Sequence, residues 1–345
     1  MKQLTILTLA IALTSCVSVP RDAGNADVQQ AIAQRGGAEI AWNAPPASAD
    51  HQRVAELLRD ELTADEAVAI AMLNNPRLQV TLAELGIARA DLIEASTISN
   101  PVAELEVRFP GEPFHPYELR VAQSLIELIQ LPRRRALGRA AFDAAQMRVS
   151  SEVLRFAGDV RASYYDLVAA TQHVALTRTI LESAQAAAEL ALKQHAAENI
   201  TDLDLENEQA LYEQAKLDLA RAEQRVVLAR EALVRAIGLR DTNAQWQLPA
   251  FPELPAKELE QQQLEQVAAA QRLDLAIARR EVEIAQRQVP LTRLAALRDT
   301  TLDVHFEREP QGEHTVGPGI ELPIPIFNTG RAARTRAEAE FLRAR

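Results

Sequence analysis

The sequence predicts a mainly α chain: one long antiparallel coiled-coil helical hairpin plus four β-strands, carried by two copies of a repeat of which the second is incomplete. Three observations carry this expectation. Aromatic residues make up 4% of the chain while hydrophobic residues reach 48%, and an Ala- and Arg-rich composition of this kind favours long helices over a compact globule. Small apolar residues recur at alternating steps of three and four from about 133 to 238, the period of a coiled-coil seam. An offset of 197 residues lays Phe109 on Phe306, Leu125 on Leu322, Arg134 on Arg331 and Ala140 on Ala337, which marks an internal repeat.

At 345 residues the chain exceeds one ordinary domain but suits a single elongated one. The formal charge of −11 argues against a nucleic-acid partner, because tracking a phosphate backbone needs a clustered basic face.

The N-terminus carries an address. Lys2 is a short charged region and Leu4 to Leu13 is free of charge, the pattern of a signal peptide over residues 1–15 and too short to span a bilayer as a helix. Leu13-Thr14-Ser15-Cys16 resembles the bacterial lipobox. That resemblance implies cleavage before Cys16 and a covalent lipid on its thiol; an ordinary signal peptide with an incidental cysteine is the alternative. Val17 in the following position implies, by the same resemblance, the outer membrane. Cys16 is the only cysteine, so no intrachain disulfide can form. Residues 16–61, with Gly36-Gly37 and Pro45-Pro46, are expected to be a mostly extended, lipidated tether.

The first repeat spans 62–238. Thr63 and Glu66 form a capping-box signature before Ala67 to Leu73. Asn74-Asn75-Pro76 then ends one helix and begins another, with Asn75 as N-cap and Pro76 in the first turn, running to about Ile98. A β-hairpin is expected at about 100–126. Ala103, Leu105, Val107 and Phe109 fall on one face and Glu104, Glu106 and Arg108 on the other, followed after a turn by Tyr117, Leu119 and Val121 against Glu118 and Arg120. Each segment approaches the roughly 9 to 11 residues of a tilted membrane strand. Alternation alone fits a solvated hairpin equally well.

The longest element, about 133–238, reads as two coiled-coil arms. Val153, Phe156, Val160 and Leu167 begin the first seam, and Leu205, Tyr212, Ala215 and Leu219 the second. Many seam positions are Ala or Ser, which lets helix axes approach closely and suits a wall of many neighbouring helices. The turn falls at Glu198-Asn199-Ile200-Thr201, with Thr201 or Asp202 as N-cap of the return arm. A continuous helix from Arg133 to Ala197 would extend about 100 Å.

Residues 239–257, with Trp246, Pro249, Pro252 and Pro255, are expected to be an equatorial linker. The second repeat, 258–345, starts with a helix from about Glu258. A β-hairpin follows at about 300–324, with Leu302, Val304 and Phe306 alternating against Asp303, His305 and Glu307, and then the start of a helix.

Two stretches resemble the TolC family of outer-membrane efflux and secretion channels. One is Leu62 to Ala90, including Asn74-Asn75-Pro76-Arg77-Leu78. The more specific one is Gly319-Ile320-Glu321-Leu322-Pro323-Ile324-Pro325-Ile326-Phe327-Asn328-Thr329-Gly330-Arg331, similar to the family's passage from strand to helix. The resemblance implies a homotrimer whose strands close a twelve-stranded barrel, continued by a helical tunnel in the periplasm. It also implies partners: outer-membrane lipid, a periplasmic adaptor, and an inner-membrane pump that supplies the energy for exporting small molecules or metals. Asn199 to Leu205 resembles the family's periplasmic tip, which assigns adaptor contact to Asn199, Ile200, Thr201, Asp202 and Leu203. Asp202 and Asp204 are expected to line the entrance. Glu104, Glu106, Arg108, Asp303 and Glu307 are expected to face the lumen, where carboxylates would bias the pore toward cations.

Catalytic and metal signals are absent from the sequence. The six His are dispersed with no i, i+4 pair, and no phosphate loop, nucleophile elbow or Cys/His dyad occurs. No cofactor and no enzymatic role are expected. Arg133-Arg134-Arg135 reads as an interfacial anchor at the periplasmic edge of a bilayer rather than a nucleic-acid patch. By the repeat offset, a second helical hairpin should occupy about 330–435, so roughly 90 residues are missing from the pattern, and this chain alone is expected not to seal a tunnel. Two other classes share parts of the pattern. A periplasmic adaptor would have a lipobox and a coiled-coil hairpin but also Gly-rich lipoyl-like modules, which the sequence lacks. A lipid-anchored structural rod would need no alternating hairpins.

Overall fold

In the computed structural model, the described residues are 24–35, 48–109, 115–239, 246–249, 261–309 and 311–345. The expected signal peptide, Cys16 and most of the Pro-rich linker lie outside them. Two compact units are present: Met1–Val28, Ala83–Ser150 and Ala268–Arg345 form one, and Gln29–Leu82 with Ser151–Val267 the other.

The segment read as an extended tether contains two short helices, α1 (Asn25–Ala33) and α2 (Ser48–Leu57). Val28 and Ile32, one helical turn apart on α1, are both buried. In the first unit, the Asp27 carboxylate accepts from Gln146 Nε2 at 2.9 Å.

The predicted capping box forms. Thr63 Oγ1 accepts from the Glu66 amide at 3.2 Å and Glu66 Oε2 accepts from the Thr63 amide at 2.8 Å, opening α3 (Ala64–Asn74). Its Ala67, Val68, Ile70, Ala71 and Met72 are almost wholly buried. α4 (Pro76–Ala95) follows, with Asn75 Oδ1 accepting from the Arg77 amide at 2.9 Å. It stops short of Ile98, where the Ser96 amide folds back onto the carbonyls of Leu92 and Ile93.

β1 (Val102–Val107) and β2 (Tyr117–Ser124) form the first hairpin. α5 (Leu125–Ala196) starts directly after β2, eight residues earlier than the sequence reading placed it, with Pro132 inside. Ser124 Oγ accepts from the Glu127 amide at 3.4 Å, and the Glu127 carboxylate accepts from the Ser99 amide at 2.8 Å. The latter bond holds the Glu127 carboxyl below the ordinary carboxylate range. Pro132 removes one helical hydrogen bond. Anchoring on both sides tolerates the loss: Gln130 donates to the Leu291 carbonyl at 3.0 Å and Arg134 to the Glu94 carbonyl at 3.3 Å. Gly138 packs so closely on α4 that an added Cβ would lie 2.7 Å from the Ala95 methyl.

In the second unit α5 pairs with α6 (Asp202–Ile237). Val153, Phe156, Val160, Leu167, Ala170 and Thr177 of the expected first seam are buried, as are Ala215, Ala222 and Leu233 of the return seam. Tyr164 is 2% exposed and donates to the Leu62 carbonyl at 2.9 Å; burial raises its pKa. The Leu62 amide in turn donates to the Gln247 carbonyl at 2.8 Å, and the adjacent Trp246 is buried with the Arg230 guanidinium 4.1 Å from its ring.

The helix expected from about Glu258 is two helices, α7 (Gln261–Gln271) and α8 (Leu273–Leu291), separated at Arg272. Arg272 takes extended backbone angles and binds the Asp274 carboxylate, while Leu273 turns into the core. A short 3-10 turn (Thr292–Leu297) leads to β3 (Thr301–Arg308), β4 (His314–Glu321) and α9 (Arg331–Ala344). The four strands form one antiparallel sheet in the order β1-β2-β3-β4, so the two repeats join through β2 and β3. No helix among the described residues is long and apolar enough to cross a membrane.

Candidate functional site

The sheet in the first unit sorts its side chains by strand parity. Pairing places Leu105, Leu119, Phe306 and Val316 in one cross-strand row, and Ala103, Val121, Val304 and Pro318 in the next. Leu105, Phe306, Val316 and Ile320 are all substantially exposed on that face. On the opposite face Glu106, Glu118, Glu307 and Thr315 share a row, and Glu104, Arg120, His305 and Gly317 another. A solvated hairpin needs no such apolar outer face; leaving it exposed to water forfeits roughly 25 cal/mol per Å².

The charged face is a network. Arg108 lies 2.9 Å from Glu106, 3.1 Å from Glu118 and 3.7 Å from Glu307. Arg120 bonds Asp303 at 3.2 Å and Glu321 at 2.8 Å. Asp303 is 6% exposed, so of the residues expected to face the lumen it is the one withdrawn into an ion pair with Arg120, whereas Glu104, Glu106, Arg108 and Glu307 stay accessible. The two strand glycines make room for this packing. A Cβ at Gly319 would collide with the Asp303 carboxylate, and one at Gly317 would lie 2.9 Å from His305 Nε2. Glu321 was missed as a member of the network, although its parity with Thr315, Gly317 and Gly319 marks its face. Six carboxylates (Glu104, Glu106, Glu118, Asp303, Glu307, Glu321) stand against Arg108 and Arg120, leaving the face net negative. Among the described residues, no group of three or more His, Cys, Asp or Glu is arranged to hold a metal ion.

The tip of the hairpin, in the second unit, is a tight turn. The Glu198 amide donates to the His195 carbonyl and the Asn199 amide to the Gln194 carbonyl, both at 2.9 Å. Glu198 has φ 59°. These are the paired bonds of a Schellman motif with a non-glycine residue in the left-handed position. Thr201, not Asp202, is the N-cap of α6. Asp204 Oδ2 accepts from the Thr201 hydroxyl at 2.7 Å and from its amide at 3.1 Å, which lowers the Asp204 pKa. Thr201 and Asp204 are therefore committed to the turn itself. Asp202 also faces His195, Oδ1 to Nε2 at 2.6 Å, but its side chain is 94% exposed. Leu203 is 68% exposed and Asn199 is exposed, while Ile200 is half-buried, beside a groove of about 300 Å³ that also involves Leu190 and Glu208.

Comparison with known proteins decides the fold. No family model matches the chain. The chain is 26% identical over 276 residues to the cobalt-zinc-cadmium resistance protein CzcC of Cupriavidus metallidurans, covering 77% of this chain and 64% of that protein. The outer membrane protein VceC of Vibrio cholerae superposes with a TM-score of 0.63 at 17% identity, over 81% of this chain and 73% of VceC. The CmeC outer membrane channel of Campylobacter jejuni gives 0.60 at 16% identity, over 81% and 66%. The chain has the TolC-type channel-protomer fold. The chain spans about two thirds of the length of these relatives.

Proposed function

We propose that this protein is a passive outer-membrane channel subunit of a tripartite export system. The observation that carries the proposal is the four-stranded antiparallel sheet with one exposed apolar face, one net-negative face and two open edges. Among the described residues β1 pairs only with β2 and β4 only with β3. Unpaired edge amides in hydrocarbon cost several kcal/mol each, so a membrane sheet must close on itself. Copies of this chain supply the missing neighbours, with a trimer closing twelve strands. The exposed Leu176, Ile180, Leu211, Leu217, Val227 and Leu228 on the hairpin arms support a helical wall of several protomers by the same logic.

Cys16 carries the covalent lipid that holds the chain at the outer membrane, and the body extends into the periplasm. Asn199, Ile200, Asp202 and Leu203 contact a periplasmic adaptor, while Thr201 and Asp204 hold the turn that presents them. Energy and most of the selectivity come from the inner-membrane pump. The negative strand face favours cations, and the similarity to a cobalt-zinc-cadmium resistance protein supports metal export as the substrate class. No step makes or breaks a covalent bond, so the reading is conduction and not catalysis. A structural rod would need no two-faced sheet.

Planar-bilayer recording of the lipidated protein tests this reading. Discrete, cation-selective conductance steps are expected, with selectivity reduced by E104Q/E106Q/E307Q. A protein that inserts without conducting, or conducts with selectivity unchanged in that variant, would contradict it.

A further inference from the structure

The first unit holds a cavity of about 340 Å³ between α5 and α8 that neither the sheet nor the tip uses. Its charged lining is Arg135, Arg139 and Asp143 from α5 with Arg280, Glu283 and Arg287 from α8. Four guanidinium groups thus face two carboxylates in a chain whose net charge is −11. Arg280 and Arg287 are both tied to Glu283, Arg280 also lies 3.8 Å from Asp143, and Arg287 donates to the Ala136 carbonyl at 3.0 Å. These bonds hold the Glu283 carboxyl below its ordinary range, chiefly through Arg280, so it stays charged and fixes the α8 wall. Arg135 and Arg139 are different. They make no ion pair among the described residues, are exposed, and stand one turn apart on the same side of α5, an arrangement of like charges that costs a few tenths of a kcal/mol in an isolated helix.

We propose that Arg135 and Arg139, backed by Arg280 and Arg287, form a binding site for an anionic phosphate group. Guanidinium groups are the side chains best matched to phosphate oxygens, because their planar fork donates two parallel hydrogen bonds. The neighbouring Arg134 does not belong to the site, since it is spent on the Glu94 carbonyl and Glu127. Of the basic triplet, Arg134 is thus structural, Arg135 lines the cavity and Arg133 lies outside it. Arg135 and Arg139, in α5, lie eleven and fifteen residues beyond the end of β2, or about 16 and 22 Å along a helix. If β2 ends at the hydrocarbon edge, a headgroup layer of roughly 5 to 8 Å stops short of both backbones, so a phospholipid phosphate meets only the long Arg135 side chain, directed back toward the strand. Free phosphate in the periplasm presents the same chemistry. The site does not depend on the chain forming a pore.

The test uses the detergent-purified full chain. Inorganic phosphate is titrated by calorimetry, and retention of phosphatidylglycerol against phosphatidylcholine is read by native mass spectrometry. Each is repeated for R135Q/R139Q, for R133Q outside the cavity and for D143N. Circular dichroism checks that each variant retains its fold. Saturable phosphate binding identifies the free ion as a sufficient ligand; selective phosphatidylglycerol retention without it identifies a lipid headgroup. In either case R135Q/R139Q should weaken binding at least ten-fold, R133Q should leave it unchanged and D143N should tighten it. Absence of both ligands in the unaltered chain, or equal loss in R133Q and R135Q/R139Q, would overturn the proposal.

Discussion

The two ends of the helical hairpin close with the same hydrogen bonds and opposite chemistry. At the end of α6 the Gly238 amide donates to the Arg235 carbonyl and the Leu239 amide to the Val234 carbonyl, with Gly238 at φ 75°. The end of α5 repeats that pattern with Glu198 in the left-handed position. Gly238 is irreplaceable for a second reason: an added Cβ would lie 2.8 Å from Asn75 Cα and 3.0 Å from the Asn74 carbonyl oxygen. Asn74 Nδ2 donates to the Gly238 carbonyl at 2.6 Å and Asn75 Nδ2 to the Ala236 carbonyl at 2.7 Å. One end is a half-buried joint fixed from outside by Asn74 and Asn75. The other is a self-contained turn whose outward residues, Asn199, Asp202 and Leu203, stay exposed. Identical backbone geometry thus serves a packed joint at one end and an exposed turn at the other, and neighbouring side chains decide which.

If the joint is the rigid end, its substitutions should cost most. G238A should destabilise the detergent-solubilised protein by about 3 kcal/mol in urea denaturation, from the left-handed backbone and the clash together. N75A removes an N-cap and leaves the Ala236 carbonyl short of a donor, at a cost of about 2 kcal/mol. A cost below half of these values would erase the distinction between the two ends. At the tip, T201A should cost about 1 kcal/mol through the lost cap, and E198G should stabilise by about 0.5 kcal/mol by relieving the left-handed residue. Of the hairpin-end variants, L203D should abolish export in cells while leaving the melting temperature within a degree or two; loss of both together would make Leu203 structural.

The smallest expected effect is with pH. Hydrogen bonds from Thr201 depress the Asp204 pKa below its usual 3.8. The capping contribution is therefore full above that value and lost as pH falls through the lower folded value. T201A should flatten the acid limb of the stability profile, and an unchanged acid limb would remove Asp204 from the cap.

Much of this was legible in the sequence because it rests on local rules. Thr63 with Glu66 and the Asn75-Pro76 start were readable from spacing alone, and strand parity placed Glu104, Glu106 and Glu307 on one face before any register was known. What stayed hidden depends on pairs distant in the chain. Nothing local shows that Asn75 reaches a carbonyl 161 residues away, or that Arg120 buries Asp303 across the repeat junction. The sequence reading placed the long helix from about 133, whereas α5 begins at Leu125: the Ser124 and Glu127 bonds anchor its first turn, and a proline inside a well-anchored helix is tolerable. The α1 and α2 helices were missed because glycine and proline pairs between them read as an open tether. The two strand-to-helix passages show the limit of repeat reasoning: residues 125–131 are helical, while their counterparts 322–328, interrupted by Pro323 and Pro325, are not.

Closure of the sheet between copies is tested most directly by cysteine crosslinking of its two open edges. One cysteine is placed at Leu105 on β1 and one at Val316, Pro318 or Ile320 on β4, with the native Cys16 kept for its lipid. Oxidation in intact outer membranes should give intermolecular products ending in a closed trimer at one of the three registers. Monomers at every register, released from the membrane by lipoprotein cleavage alone, would contradict the channel reading.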